Sequence, residues 1–248
     1  MIKLFWLFLI FIWNREKFTE GDDNKYMNKT VIDDGFESYL VEGAEFNGEW
    51  EIPIIKNENV ETPKDIVPYD KIKKIKENER KSIYIHFYMH DIKFRQVITN
   101  TKKYLEKFKE YGGVISPDCS LYIDMPLCLQ MANTYMNRAV GVYLQNNGIK
   151  VIPNVRWGDE RSFKFAFDGL EENGVYAIST LGCIRSKEDK TRFKEGLREM
   201  IKKLNPQKIL VYGTMPEYVF GEFQNQVTFI NYESWISRVK RGVFDGNK

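Results

Sequence analysis

From residue 83 onward the chain repeats one rhythm. Short runs of β-branched or aromatic residues alternate with longer amphipathic segments, and most of the runs end at polar residues, Gly or Pro. Successive parallel strands need crossover connections, and these are right-handed when they contain a helix. The sequence therefore predicts an α/β fold with a mostly parallel sheet of about six strands and helices on both faces. An incomplete or irregular β/α barrel is the alternative. A closed barrel has eight strands in roughly 250 residues, and residues 36–69, punctuated by Gly43, Gly48, Pro53, Pro63 and Pro68, leave room for further strands.

Individual elements follow from spacing and stop signals. Residues 82–89 alternate, with Ile83, Ile85, Phe87 and Met89 on one face and Tyr84, His86, Tyr88 and His90 on the other, which predicts a strand. A helix is expected over 94–111, stopped by Gly112-Gly113. A second is expected from an Asp124 N-cap, with Pro126 in its first turn, to Gly148. Strands are expected over 114–117, 150–155, 175–179, 208–212 and 227–231, a short helix over 161–167 and a terminal one over 234–241. Residues 186–189 resemble a capping box, with the shorter Asp189 in place of the usual Glu or Gln, ahead of the stripe Phe193, Leu197, Ile201 and Leu204.

The first 35 residues differ from the rest. Lys3 is followed by ten apolar residues up to Trp13 and then by a polar stretch, so residues 1–35 read as an extension and 36–248 as a single α/β domain. Ten residues are too few for a stable membrane span, which takes about 20. Three readings fit: a start codon assigned too early, with translation beginning at Met27; a signal or anchor, although no small-x-small cleavage site follows; or a buried segment. Three cysteines, Cys119, Cys128 and Cys183, with no C-x-x-C spacing, argue against a disulfide framework or structural zinc and for a cytoplasmic protein. The net charge of +2 does not advertise a nucleic-acid partner.

In parallel α/β folds ligands bind at the carboxyl ends of the strands. The polar residues there are Asp118-Cys119-Ser120, Asn154 with residues 156–160, Thr180 to Cys183, and Gly213-Thr214. Asp118, Asp159 and Glu160 are the candidate catalytic carboxylates, and Asp118 with Asp159 offers oxygen ligands of the kind Mg²⁺ takes. Arg138, Asn154, Arg156, Thr180, Gly182 and Gly213 are the candidate substrate-binding residues, the arginines because a guanidinium grips carboxylate or phosphate through paired bonds. Each has a plainer reading: Asp159 as an N-cap, Gly182 and Gly213 as turn residues, the arginines in ion pairs that hold loops. His86 and His90, about 13 Å apart along a strand, cannot share a metal, though one of them can serve as a general base. No Walker motif, G-x-G-x-x-G, G-x-S-x-G or H-E-x-x-H occurs.

A longer pattern runs through these segments. Residues 114–118, Asp124-Met125-Pro126, Asn133-Thr134-Tyr135 with Asn137-Arg138, residues 149–161, Gly182-Cys183-Ile184 and Val211-Tyr212-Gly213, with residues 52–55 and His86-Phe87 upstream, resemble the family termed domain of unknown function 4417. The resemblance covers residues 36–232. It implies a protein of bacterial genomes, phages or other mobile elements, and it implies no activity. The chain departs from that pattern at Cys119, where an aromatic residue is usual, and at Ile123, where Arg is usual, which makes Cys119 a poor catalytic candidate. The apolar extension is foreign to the pattern and favours the Met27 start.

The expected function is that of a cytoplasmic enzyme acting on a phosphate-bearing or nucleotide-like substrate in a cleft at the strand carboxyl ends. The alternative is a non-enzymatic regulatory module of a phage or mobile element that binds nucleic acid or protein. In the latter case residues 71–81, with six basic side chains and two glutamates, and the basic helix over 187–203 would be the contact surface. Intact-mass analysis of the native protein is expected to show a chain beginning at Met27; a mass that includes Met1 removes the early-start reading.

Overall fold

The computed structural model describes residues 37–242, so the N-terminal extension and the question of its start lie outside the described residues. Seven of the strands run parallel. They are β3 (Asp65–Pro68), β4 (Ile83–His86), β5 (Gly113–Ile115), β6 (Val151–Ile152), β7 (Val175–Ser179), β8 (Lys208–Tyr212) and β9 (Thr228–Tyr232). Before them, β1 (Phe46–Asn47) and β2 (Ile52–Pro53) form a short antiparallel pair, and Ile55 bridges to Leu170. The α/β class and the parallel direction agree with the sequence. The strands form two ladders, however, of four (β3 to β6) and three (β7 to β9), not one sheet of six. A single bridge between Asn154 and Ala177 joins the ladders, with Val155 N–H donating to the Ala177 carbonyl and Ala177 N–H to the Pro153 carbonyl. Pro153 explains the thin seam, because it brings no N–H of its own.

The seven strands thus lie side by side in chain order, and they curl. In a flat sheet β4 and β8, four spacings apart, would be roughly 19 Å from each other. Yet the His86 ring at the end of β4 lies 4.2 Å from the Tyr212 ring at the end of β8. Tyr232 of β9 donates its hydroxyl hydrogen bond to the Pro63 carbonyl just ahead of β3. One inner cluster includes Ile66, Tyr84, Ile115, Ile152, Ala177, Leu210 and Tyr232, at least one residue from each of the seven strands, and no helix residue. The inner face is therefore filled by the strands themselves, which is the geometry of the irregular barrel, while the helices cover the outer face.

Alternation along the strands produces this division. Ile83, Ile85, Val114 and Val151 point outward onto Phe87, Phe94, Phe108, Val140 and Leu144. Tyr176, Ile178, Ile209 and Val211 point outward onto Phe193, Leu197, Met200 and Phe220. β4 stops at His86, earlier than the alternation suggested, because Tyr88 N–H turns back onto His86 Nδ1 and Met89 N–H onto the Phe87 carbonyl.

The helices follow their stop signals with two differences. The segment expected as one helix over 94–111 breaks at Asn100 into α1 (Arg95–Thr99) and α2 (Leu105–Lys109), joined by a 3-10 turn. Thr99 and Thr101 bond back to the carbonyls of Arg95 and Val97, the competition that β-hydroxyl residues offer to a helix. The long helix α3 (Leu127–Asn146) has Pro126, not Asp124, at its N-cap; Gln130 Nε2 secures the entry by donating to the carbonyls of Tyr122 and Met125. Helix α4 (Lys187–Leu204) carries the expected capping box, Asp189 N–H to Ser186 Oγ and Ser186 N–H to Asp189 Oδ2, both 3.0 Å. Two short helices, α5 (Glu217–Phe220) and α6 (Trp235–Lys240), complete the described set. Among the described residues no helix is long and apolar enough to cross a membrane.

Gly196 shows how closely α4 lies on its neighbours: a Cβ there would fall inside the Trp157 indole. Gly196→Ala is accordingly expected to destabilise the protein by about 1–3 kcal/mol through overpacking, exceeding the helix-propensity gain of about 1 kcal/mol. Urea unfolding reads the difference; a stabilised variant would mean that α4 can ride outward freely.

Candidate functional site

Three strand ends meet on the carboxyl edge through one guanidinium. Asp118 follows β5, Arg156 follows β6 and Cys183 lies in the loop after β7. Arg156 Nε donates to Asp118 Oδ1 (2.8 Å), Arg156 Nη2 to Asp118 Oδ2, and Arg156 Nη1 to Cys183 Sγ (2.6 Å). Asn154 Nδ2 reaches the same Asp118 Oδ1 at 2.9 Å. Burial works against the Arg156 charge, but Asp118 and Cys183 outweigh it, so this guanidinium holds its proton more firmly than usual. Its side chain is 16% exposed. Three of its five N–H groups are engaged among the described residues, which leaves one on each terminal nitrogen for an incoming oxygen.

A second arginine stands behind this group and does other work. Arg138 of α3 is fully buried. It donates through Nε to the Asp168 carbonyl (3.0 Å), through Nη1 to Asn137 Oδ1 (2.6 Å) and the Asn154 carbonyl (3.0 Å), and through Nη2 to the Ala166 carbonyl (2.9 Å). Burial lowers its affinity for its proton to a pKa of about 10, against the pull of Asp168. Asn137 adds donors to the Pro117 and Asn154 carbonyls and accepts from Ser116 Oγ. Arg138, expected from the sequence to orient substrate, is thus a brace for the strand-end loops.

The remaining sequence candidates divide. Thr180 Oγ1 donates to the Thr214 carbonyl at 2.8 Å. Gly213, at φ +115°, must be glycine because a Cβ would come within 2.5 Å of that hydroxyl. Gly182, also at positive φ, lies in the exposed turn before Arg185, whose Nη2 is 3.6 Å from the position a Cβ would take. These three shape the loops around the Arg156 group. Asp159 and Glu160 do not join it. Asp159 caps the 3-10 turn Glu160–Lys164 by accepting from Arg161 N–H; its pairing with Arg161 holds its carboxyl below the usual range, and Glu160 is exposed.

The expected magnesium pair, Asp118 with Asp159, does not fit the ion. Both Asp118 oxygens face the Arg156 cation and both Asp159 oxygens face Arg161. Among the described residues no group of three or more His, Cys, Asp or Glu is placed to hold a metal. The basic segments expected to contact nucleic acid are partly engaged. Arg80 pairs with Glu110, Lys71 with Asp70, and Lys194 and Arg198 with Glu222. A crevice of about 160 Å³ beside Cys119, Asn137, Arg138 and Arg156 is too narrow for a water-sized sphere. Burial pushes the Cys119 thiol well above its ordinary range, which disarms it as a nucleophile.

One of the two histidines lies on the inner face of the curled sheet. His86 is fully buried, with its Nδ1 accepting from Tyr88 N–H at 3.1 Å, so the neutral ring carries its proton on Nε2. Its ring lies 5.0 Å from that of Tyr88, and Tyr88 stacks on Tyr212 at 5.1 Å. Among the described residues four buried side-chain atoms, His86 Nε2, Tyr88 Oη, Asn154 Oδ1 and Gln130 Oε1, have no hydrogen-bond partner. Each such buried atom costs about 1–3 kcal/mol. Burial, helped by Arg238, brings the His86 pKa down to about 3. The signal available in the sequence was the shared face of Tyr84, His86 and Tyr88; it did not reveal that the face turns inward.

Comparison with known proteins agrees with the resemblance read from the sequence. Residues 44–233 match the family model described as Domain of unknown function (DUF4417), and this α/β chain belongs to that family. Among its relatives are the "Gene 1 protein" of Mycobacterium phage L5, 37% identical over 131 residues, and the "Gene 1 protein" of Mycobacterium phage D29, 35% identical over the same length. The matched segment is 53% of this chain and 57% and 48% of those two proteins. No solved structure matches the chain.

The buried histidine makes stability depend on pH. Its folded pKa of about 3 lies below the ordinary 6.5, so the unfolded chain binds the extra proton between those values. The His86 contribution is intact above pH 6.5 and is lost as pH falls toward 3, at up to about 1.4 kcal/mol per pH unit. Urea unfolding at pH 7, 6, 5 and 4 is expected to show a steeper loss for the wild type than for His86→Gln; equal slopes would place the imidazole in contact with solvent.

Proposed function

We propose that this protein is a cytoplasmic enzyme acting on a phosphate-bearing, nucleotide-like substrate at the carboxyl edge of β4 to β8. The observation that carries the reading is Arg156. It is fixed in orientation by Asp118 and keeps an N–H on each terminal nitrogen unengaged among the described residues, the arrangement that suits two oxygens of one phosphate. Exposed Arg185, across the Gly182 turn, adds charge of the same sign. Asp118 is the carboxylate nearest such a ligand and the candidate acid–base group. The capping box of α4 places Glu188 and Asp189 in its first turn, so that helix start is not the anion site.

Titration calorimetry with ribose 5-phosphate and with ribonucleoside monophosphates, combined with chromatography of the products, tests this. Binding that weakens at least tenfold in Arg156→Lys, a loss of about 1.4 kcal/mol within the range of charge-assisted bonds, is expected together with conversion of one substrate. Binding without conversion leaves a binding protein instead of an enzyme. Salt-sensitive affinity for duplex DNA, with none for small phosphates, would favour the regulatory module.

A further inference from the structure

Three of the four unpartnered buried side-chain atoms among the described residues belong to His86 and Tyr88, which touch Tyr212, and to Asn154, which is bonded to Asp118; the fourth, Gln130 Oε1, faces Gly158 instead. His86 and Tyr88 touch through the Tyr88 N–H to His86 Nδ1 bond, and both rings lie on Tyr212, at 4.2 and 5.1 Å. Asn154 is held to the same Asp118 oxygen that anchors Arg156. The Tyr88 hydroxyl feels the Asp118 charge as well as its own burial. Together they present a donor at His86 Nε2, an acceptor at Asn154 Oδ1 and a hydroxyl at Tyr88 that serves as either. None is charged, so they suit a neutral polar edge and not an ion. The rings of His86, Tyr88 and Tyr212 pack on one another here, which suits a flat ligand.

We infer that His86, Tyr88 and Asn154 recognise the heterocyclic base of a nucleotide whose phosphate is held by Arg156. The inference rests on the proposed phosphate site and adds the part of the ligand that sets specificity. A base edge with one acceptor and one donor satisfies the histidine and the asparagine, and the tyrosine hydroxyl serves whichever atom remains. The three atoms are buried, so the base enters as the loops that follow β4 and β5 part. A site built from hydrogen-bonding groups of this kind rejects a ligand that lacks the matching atoms, because they are then left unpaired again.

Calorimetry on the full chain with the four ribonucleoside monophosphates, the four nucleosides and ribose 5-phosphate separates this inference from the reading beneath it. At least one nucleotide is expected to bind tenfold or more tightly than ribose 5-phosphate. Tyr88→Phe and His86→Phe are expected to erase that preference while leaving ribose 5-phosphate affinity unchanged. Without ligand, Tyr88→Phe is expected to melt at or above the wild-type temperature, since it removes a hydroxyl that has no partner. Equal affinity for nucleotides and ribose 5-phosphate overturns the base site and leaves the phosphate site standing. Nucleosides that bind when ribose 5-phosphate does not would support the base site and remove the phosphate reading. No binding of any nucleotide or nucleoside, an unchanged preference in Tyr88→Phe, or a lowered melting temperature for that variant each overturns the inference.

Discussion

Arg138 ties two separate stretches of backbone to one side chain. Its guanidinium collects the carbonyls of Asn154, Ala166 and Asp168, together with Asn137 Oδ1, and Asn137 in turn holds the Pro117 carbonyl. The ends of β5 and β6 are therefore fixed relative to α3 and to the loop that leads toward β7. A cation so deeply placed is tolerated because carbonyl dipoles surround it, and removing it would strand those carbonyls without donors. Everything at the carboxyl edge inherits its position from this one group. Asn154 is turned so that its amide meets Asp118, and Asp118 is thereby aligned for the paired bonds from Arg156.

The same constraint explains the division of labour between the two arginines. One saturates four of its five donors on protein oxygen and faces inward. The other spends three, one of them on sulfur, and its side chain stays partly exposed. Sequence cannot separate them, since each lies in a polar cluster and neither spacing nor neighbours mark which will be enclosed. Only the curl of the sheet, which carries the residue after β6 to the rim and the residue in α3 to the back, decides the matter.

How much was legible follows from where the information resides. The alternation of β4, the capping box of α4, the stops at Gly112 and Gly148, and the parallel direction are local or follow from chain order, and they could be read directly. The break at Asn100 could not, because it depends on threonine hydroxyls competing with the helix for the same carbonyls. The N-cap of α3 shifted from Asp124 to Pro126 because Gln130, a residue further along, secures the turn. At the site, Asp118, Asn154, Arg156 and the loop residues Thr180, Gly182 and Gly213 were recognisable as strand ends. Asp159 was recognisable as a strand-end residue but serves as a cap. His86 and Tyr88 were placed on the correct strand face, yet what that face meets is a non-local property: an inner surface exists only once β4 and β8 have come within ring contact.

Spatial order equal to chain order also bears on how the molecule is made. Each parallel strand from β4 onward finds its ladder partner in the strand synthesised just before it, except at the Asn154–Ala177 seam, where one bridge serves. Every docking event closes a loop only one crossover long, and the entropic cost of closure grows slowly with length. A chain leaving the ribosome can therefore add layers as it emerges, without waiting for its far end. Only the last act, bringing β9 back beside the segment ahead of β3, joins residues distant in sequence, and contacts of that kind are the slow ones.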